Sequence, residues 1–318
     1  MPRLAHGLPL AWPETSENVM ISLRLRSDLT LLFVAAVWGS GFVAQRLAAG
    51  SLSAFYFNGF RFFLAGLILL LLIRFRWEIK GKDLRWVGLA GVLLACGSYF
   101  QQAGLRTTNV SNAAFITGLY VIFIPIFLWV VWKEKTGKVT WAAALMAVAG
   151  IFLLSVKEHM TFASGDVLEL LGAIFWAMHV ILLSRLPRTI NPFQLAAGQF
   201  LVGGLINLVV GFSLGPQGAL ALSSSWQLVL YSALIPVGLG FTLQVVGQKH
   251  SPPTDAAIIL SMEAVFGALF GFLYLGEMMS LPQIMGCGLI LASMILAQVK
   301  PPLPTPESAL TAPASKME

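Results

Sequence analysis

The feature that most constrains this chain is a series of ten apolar runs, most of them about 20 residues long. An α-helix rises about 1.5 Å per residue, so a run of this length crosses the ~30 Å of hydrocarbon in a bilayer. The sequence therefore predicts an all-α integral membrane protein with ten transmembrane helices. The predicted helices lie at roughly 29–48, 55–73, 84–104, 111–132, 139–156, 166–185, 193–212, 226–247, 254–275 and 282–299.

The composition excludes a soluble fold. Of the 318 residues, 57% are hydrophobic and only 11% are charged, whereas soluble proteins have about 25% charged residues. The net charge of +6 comes from short loops between apolar runs, so we expect no nucleic-acid partner. Cys96 and Cys287 lie inside apolar runs and predict neither a disulfide framework nor a metal site. We expect no cofactor.

The positions of lysine and arginine predict the orientation, because positive residues collect in cytoplasmic loops. With the N-terminus inside, 16 of them lie in inner segments and three in outer ones. We therefore expect both termini in the cytoplasm. The expected location is a bacterial inner membrane. Residues 1–28 are predicted to be a cytoplasmic extension, of which 1–19 are dispensable, and residues 300–318 a disordered cytoplasmic tail.

The two halves of the chain resemble each other. Residues early in the first half match residues 138 positions later, and residues further along match those 143 positions later: Asp28 with Asp166, Trp38 with Trp176, Gln101 with Gln244, and Glu134 with Glu277. Five helices in each half make the second half enter the membrane from the opposite side. The sequence thus predicts two inverted five-helix repeats at 29–156 and 166–299, joined by an outer loop at 157–165. Secondary transporters built in this way bind substrate near the midplane.

Several segments follow a recognisable pattern. They are AVWGSGF and FYFNGFRFFLAGLILLL in the first two helices, VIFIPIFLWVVWKEK in the fourth, and MEAVFGALFGFLYLGEMMSLPQIMGCGLILASMIL in the ninth and tenth. Over residues 28–299 the chain resembles the drug/metabolite transporter superfamily, specifically its EamA-type ten-helix exporters. The resemblance implies export of a small molecule. It does not select among amino acids, purines, other metabolites and toxic compounds.

Polar side chains inside apolar runs are costly and mark candidate binding groups. Glu263 is the sharpest case, since it lies about ten residues into the ninth run. It is a candidate for contacting a substrate amine or for carrying a coupling proton. The alternative is a structural ion pair with Arg61. We interpret Arg61 as structural, or as reaching towards the outer face, rather than as substrate-binding.

Seven further side chains complete the predicted substrate site. Amides can donate and accept hydrogen bonds, tryptophans can stack on a ligand, and a histidine can titrate near neutral pH. For each of them the alternative is a helix–helix hydrogen bond or plain packing. The predicted residues are Trp38, Tyr99, Gln101, Tyr120, Trp176, His179 and Gln244.

These patterns favour a secondary transporter that moves an amino acid or a similar amphiphile by alternating access. Protons are the candidate coupling ion, and we expect a monomer or homodimer. The alternative is multidrug or toxic-compound efflux in the same fold. A channel is more remote, because the polar groups cluster at mid-run and do not form rings along a pore. An intramembrane enzyme is equally remote, because the sequence has no His-Glu-x-x-His and no Gly-x-Ser-x-Gly motif.

Overall fold

The computed structural model of the chain describes residues 16–108, 110–155, 163–187, 189–215, 222–275 and 278–299. In these parts the chain forms helices joined by turns, with no strand. The helices are α1 (Ser16–Ala49), α2 (Ala54–Leu72), α3 (Leu84–Gly104), α4 (Val110–Gly118 followed by Tyr120–Trp132), α5 (Lys138–Ser155), α6 (Ser164–Ser184), α7 (Pro192–Ser213), α8 (Leu222–Ser232, a π-helical stretch at Ala233–Phe241, and Thr242–Gly247), α9 (Pro253–Leu260 followed by Met262–Leu275) and α10 (Leu281–Val299).

Nine helices among the described residues are long and apolar enough to cross a membrane. The helix outside this set is α3, which has 21 residues. Its apolar character is lowered by Arg85 at one end and by Gln101 and Gln102 near the other. The predicted all-α membrane architecture is confirmed, and the tenth crossing stays a prediction for α3.

The first helix differs from its predicted extent. It begins at Ser16, whereas the apolar pattern placed its start near residue 29, because Arg24, Arg26 and Asp28 interrupt the apolar run. Residues 16–28 contain neither proline nor glycine, so nothing in them ends a helix. The predicted tail at 300–318, most of the loop at 157–165 and Glu277 lie outside the described residues.

The two predicted halves share one core. Helix α2 packs mainly on α7, α5 on α10, α1 on α8 and α9, and α3 on α6 and α7. Glycines permit the closest of these approaches. A Cβ atom at Gly286 of α10 would lie 2.5 Å from the carbonyl oxygen of Gly150 in α5, so any side chain there would separate the two helices. Each half therefore buries its apolar side chains against the other half.

A matching hydrogen bond occurs at each end of the bundle. We call the end that carries Arg24, Lys80, Lys133, Arg185 and Lys249 the basic end. At the basic end Ser251 donates to Asp28 over 3.3 Å. At the opposite end Thr108 donates to Asp166. The two aspartates are 138 positions apart and the two hydroxyl residues 143 positions apart, which are the offsets of the sequence repeat.

Candidate functional site

A cavity of about 590 Å³, measured to its open mouth, lies at the centre of the bundle. Seven helices contribute to its wall, whereas α5, α7 and α10 do not reach it. The lining residues are Trp38, Phe42, Gln45, Arg61, Gln101, Thr117, Tyr120, Trp176, Val180, Pro236, Phe241, Gln244, Leu260 and Glu263. The wall is mostly apolar with a few polar groups, as the walls of small-molecule sites generally are.

Six of the eight predicted site residues line this cavity. They are Trp38, Gln101, Tyr120, Trp176, Gln244 and Glu263. The structure therefore brings together side chains from α1, α3, α4, α6, α8 and α9 that lie far apart in the sequence. Their contact with a substrate stays a prediction.

The other two predicted residues lie outside the cavity wall. Tyr99 is half-buried and stacks on Phe55, with ring centroids 4.3 Å apart. His179 is fully buried behind the wall, with its Nε2 atom 2.9 Å from Oε1 of Gln199. Its ring packs edge-on against Trp176 and Phe241. His179 thus supports two wall residues without facing the cavity.

An aromatic group forms one side of the cavity. The ring of Phe241 lies 4.7 Å from that of Trp38 and 5.7 Å from that of Trp176. Trp38 also donates from Nε1 to the carbonyl oxygen of Pro236 over 3.1 Å. Pro236 and Phe241 belong to the π-helical stretch of α8, and such stretches change which side chains face a site.

Arg61 reaches the cavity and not the outer face. Its side chain is only 3% exposed, and its guanidinium carbon lies 4.7 Å from the ring of Phe57 and 4.9 Å from that of Phe62. The interpretation of Arg61 as reaching outwards is therefore wrong, because the two rings hold it inside the bundle.

The predicted ion pair between Arg61 and Glu263 is not formed. Both residues line the cavity, yet no ion pair among the described residues joins them. The Nε atom of Arg61 is buried without a hydrogen-bond partner. Glu263 is half-buried and lines the cavity together with Tyr120. The cavity thus holds a cation and an acid that do not neutralise each other.

Two wall helices are interrupted at the cavity. Helix α4 breaks at Leu119, immediately before Tyr120, and α9 breaks at Ser261, two residues before Glu263. Leu119 has φ −62° and ψ −13°, and Ser261 has φ −61° and ψ −15°. These are the angles of a tight 3₁₀-type turn, which marks a point of bending within a helix. Discontinuous helices of this kind form the binding sites of many secondary transporters.

Most of the cavity wall consists of pairs related by the sequence offsets. Residues of α1 pair with those of α6 at an offset of 138, and residues of α3 and α4 pair with those of α8 and α9 at an offset of 143. The pairs are Trp38 with Trp176, Phe42 with Val180, Gln101 with Gln244, Thr117 with Leu260, and Tyr120 with Glu263.

Several polar atoms in the wall are buried without a hydrogen-bond partner among the described residues. Buried polar atoms are normally paired, so an unpaired group needs an explanation. A ligand with donors and acceptors would pair them. The atoms are Oε1 of Gln45, Nε of Arg61, the hydroxyl of Tyr120, Nε1 of Trp176 and Oε1 of Gln244.

Some wall residues were not predicted from the sequence, although their spacing along a helix places them on the same face as predicted residues. Gln45 lies seven residues after Trp38, with Phe42 between them, so the three share one face of α1. Thr117 faces the cavity and also donates to Glu169 of α6 over 2.9 Å. Glu169 is fully buried, and its position near the start of an apolar run is the signal that identifies it.

Comparison with known proteins agrees with this architecture. The model of the EamA-like transporter family matches residues 25–156 and again residues 163–298. An uncharacterized transporter of Archaeoglobus fulgidus is 34% identical over 87% of each chain. The uncharacterized transporter YwfM of Bacillus subtilis is 27% identical over 86% of this chain and 94% of its own length. One solved crystal structure has the same fold, with a TM-score of 0.70 at 18% identity, covering 86% of this chain and 98% of the other.

The family match spans both halves of the chain, and the relatives cover nearly its whole length. Both relatives are named as transporters, in agreement with a central cavity built by interrupted membrane helices. The chain belongs to the EamA-like transporter family.

Proposed function

We propose that this protein is a secondary transporter that exports an amino acid, or a similar small amphiphile, across a bacterial inner membrane. One observation carries the choice of substrate. Arg61 and Glu263 line the same cavity without pairing with each other in the part of the chain that the structure describes. A cation and an acid on one wall complement the carboxylate and the ammonium group of an amino acid.

Arg61 supplies the energetic reason for an anionic group on the substrate. A guanidinium stays charged at any physiological pH, and burying a charge without a partner is expensive. The Phe57 and Phe62 rings offset part of this cost by cation–π contact, worth about 0.5–2 kcal/mol for each ring. A substrate carboxylate would supply the missing anion in a bidentate contact. The aromatic group at Trp38, Trp176 and Phe241 suits the remainder of the molecule.

Alternating access is the transport mechanism that fits this arrangement. The matched wall residues and the matched hydrogen bonds at the two ends support an inverted repeat with its axis through the cavity. Two equivalent halves can exchange conformations, so the site opens to one side and then to the other at similar energy. The orientation that we propose places the basic end in the cytoplasm, because positive loops stay inside.

The test is counterflow in liposomes that contain the purified protein. Labelled amino acids should enter preloaded vesicles in a saturable way, and vesicles without protein should show no such uptake. A parallel panel of lipophilic cationic drugs tests the efflux alternative. Saturable flux for drugs alone would replace the proposal by multidrug efflux. The absence of saturable flux for every amino acid would contradict the proposed substrate class.

The variant Arg61→Gln tests whether the unpaired guanidinium in the cavity contributes to substrate binding. Loss of a charge-assisted hydrogen bond costs about 1.5–3 kcal/mol, which is roughly a 10- to 100-fold rise in apparent KM. The matched control is Arg76→Gln, because Arg76 is exposed in the loop after α2. Equal KM values for the two variants would contradict a carboxylate contact at Arg61.

A further inference from the structure

Glu169 is a fully buried carboxylate that lies one hydrogen bond behind the cavity wall. Thr117 donates from Oγ1 to Oε2 of Glu169 over 2.9 Å. Nε2 of Gln101 lies 3.5 Å from the same Thr117 oxygen. Since Thr117 and Gln101 both line the cavity, a continuous polar chain joins the cavity to Glu169.

The surroundings of Glu169 do not compensate a negative charge. Its Oε1 atom is buried without a hydrogen-bond partner, and no described cation pairs with it. The carboxyl packs on the backbone of Gly104, where a Cβ atom would lie 2.7 Å from Oε1. An isolated charge at such a site costs several kcal/mol, and a buried carboxyl avoids this cost by taking a proton.

Few other titratable groups face Glu169. Asp166 lies one turn earlier on the same helix, α6. Asp166 accepts hydrogen bonds from Thr108 and from the backbone N–H of Ala163, so its own charge is compensated. His179 lies on α6 itself. The elements packed against α6 carry Arg85, Cys96 and Tyr99 on α3, Tyr120 on α4, Lys249 and His250 on the turn Gln248–His250 after α8, and Asp255 and Glu263 on α9.

The matching position in the first half shows that the fold does not require a carboxylate here. The residue 138 positions before Glu169 is Leu31, which is also fully buried. Leu31 packs on Gly247, where a Cβ atom would lie 3.0 Å from its side chain. Gly247 lies 143 positions after Gly104. The same packing is thus made once with leucine and once with glutamate, so the acid needs a functional explanation.

We infer that Glu169 binds the proton that couples this transporter to the proton gradient, exchanging it with the cavity through the hydroxyl of Thr117. The transfer makes and breaks only O–H bonds. In one concerted step Thr117 gives its hydrogen to Oε2 of the ionised Glu169 and takes another from a hydronium ion in the cavity, which leaves as water. The reverse step returns the proton from Glu169 to a cavity water. An ionised Glu169 disfavours the close packing of α3 on α6, so deprotonation favours the other conformation of the transporter.

The first test detects the proton directly and does not depend on the proposed substrate. Infrared spectra of the full-length protein are compared across a pH titration for the wild type, Glu169→Gln and the control Glu134→Gln. Glu134 is an exposed acid, paired with Arg185 at the basic end. We expect a protonated-carboxyl band that is missing in Glu169→Gln and retained in the control. An unchanged band in Glu169→Gln would overturn the inference.

The second test measures coupling, and it rests on the proposed function. In liposomes with a pH gradient, Glu169→Gln and Glu169→Leu should lose gradient-driven amino-acid accumulation but retain counterflow at equal pH. Glu169→Leu reproduces the packing of Leu31, so its counterflow also shows that the fold is intact. Retained pH-driven accumulation, or accumulation driven by sodium instead, would overturn proton coupling at Glu169. A wild type without any counterflow would count against the substrate class, while the infrared result still decides on Glu169.

Discussion

The two sides of the cavity are built from matching positions but differ in their chemistry. Trp38 and Trp176 are identical at their pair of positions, as are Gln101 and Gln244. Other pairs differ: Tyr120 in the first half corresponds to Glu263 in the second, and Thr117 corresponds to Leu260. The identical pairs supply aromatic surface and amides, whereas these two divergent pairs supply an acid and hydroxyl groups. Under the proposed function, the repeat provides the scaffold of the site and the divergent positions provide its specificity.

The same contrast holds for the residues behind and beside the wall. Arg61 matches Gln199, which lies behind the wall and pairs with His179. Glu169 matches Leu31. In both pairs one half places a charged side chain where the other has a neutral one. Substrate charge and proton coupling therefore depend, in this account, on the places where the two halves stopped being equivalent.

The largest effect is expected at the pair of Tyr120 and Glu263. Glu263→Gln removes the proposed partner of the substrate amine and should raise the apparent KM for amino acids roughly 10- to 100-fold. Tyr120→Phe removes only a hydroxyl, so we expect a rise of less than about tenfold. The concentration dependence of counterflow measures both values. Similar KM changes in the two variants would contradict the proposal that Glu263 contributes more to substrate binding than Tyr120 does.

The two tryptophans should separate stability from binding. Trp38 uses its indole N–H on Pro236 within the protein, whereas Nε1 of Trp176 has no partner among the described residues. Trp38→Phe should cost about 1 kcal/mol of stability, seen as a lower Tm in detergent. Trp176→Phe should weaken substrate binding instead, with Tm nearly unchanged. A reversed pattern would contradict the assignment of Trp176 to the substrate.

The two matched hydrogen bonds should act in opposite directions on the conformational equilibrium. Ser251→Ala loosens the basic end and Thr108→Ala the other end, each by about 1 kcal/mol, or roughly a fivefold shift in population. A single cysteine replacing Gln45, in a variant without Cys96 and Cys287, reports access to the cavity. Labelling by an impermeant thiol reagent should change in opposite senses for the two variants. Shifts in the same sense would argue against alternating access.

The smallest effect is expected at the ion pair of Arg185 and Glu134. A guanidinium nitrogen of Arg185 lies 2.7 Å from Oε1 of Glu134, but the side chain of Glu134 is 52% exposed. Exposed ion pairs contribute about 0–1 kcal/mol because water and salt screen them. Arg185→Gln should therefore change Tm slightly and leave counterflow unchanged. A large loss of flux would assign a gating role to the basic end.

The apolar periodicity predicts the helices well because hydrocarbon thickness fixes their length. The predicted segment at 84–104 coincides with α3, and the segment at 192–213 differs from its predicted range by one residue at each end. The start of α1 was predicted too late, since charged residues can continue a helix beyond the membrane. Length and hydropathy do not locate such an extension.

The site was predicted less completely because sequence does not reveal which face of a helix turns inward. Trp176 and His179 share a face by spacing, yet only Trp176 lines the cavity, whereas the ring of His179 packs edge-on against the wall residues Trp176 and Phe241. The π-helical stretch that positions Phe241 shifts the register of α8, and nothing in the apolar pattern signals that shift. Arg61 was misjudged because its aromatic neighbours, Phe57 and Phe62, become contacts only on a folded helix.

The most direct test of the central claim uses substrate fragments as competitors. Counterflow of a labelled amino acid is inhibited with an amine that lacks the carboxylate, and with a carboxylate that lacks the amine, in the wild type, Arg61→Gln and Glu263→Gln. We predict that the intact amino acid competes best in the wild type. In Arg61→Gln, which lacks the partner of the carboxylate, the amine should compete as well as the amino acid. In Glu263→Gln, which lacks the partner of the amine, the carboxylate should compete as well as the amino acid. The same order of competitors in all three proteins would contradict recognition of an amino acid between Arg61 and Glu263.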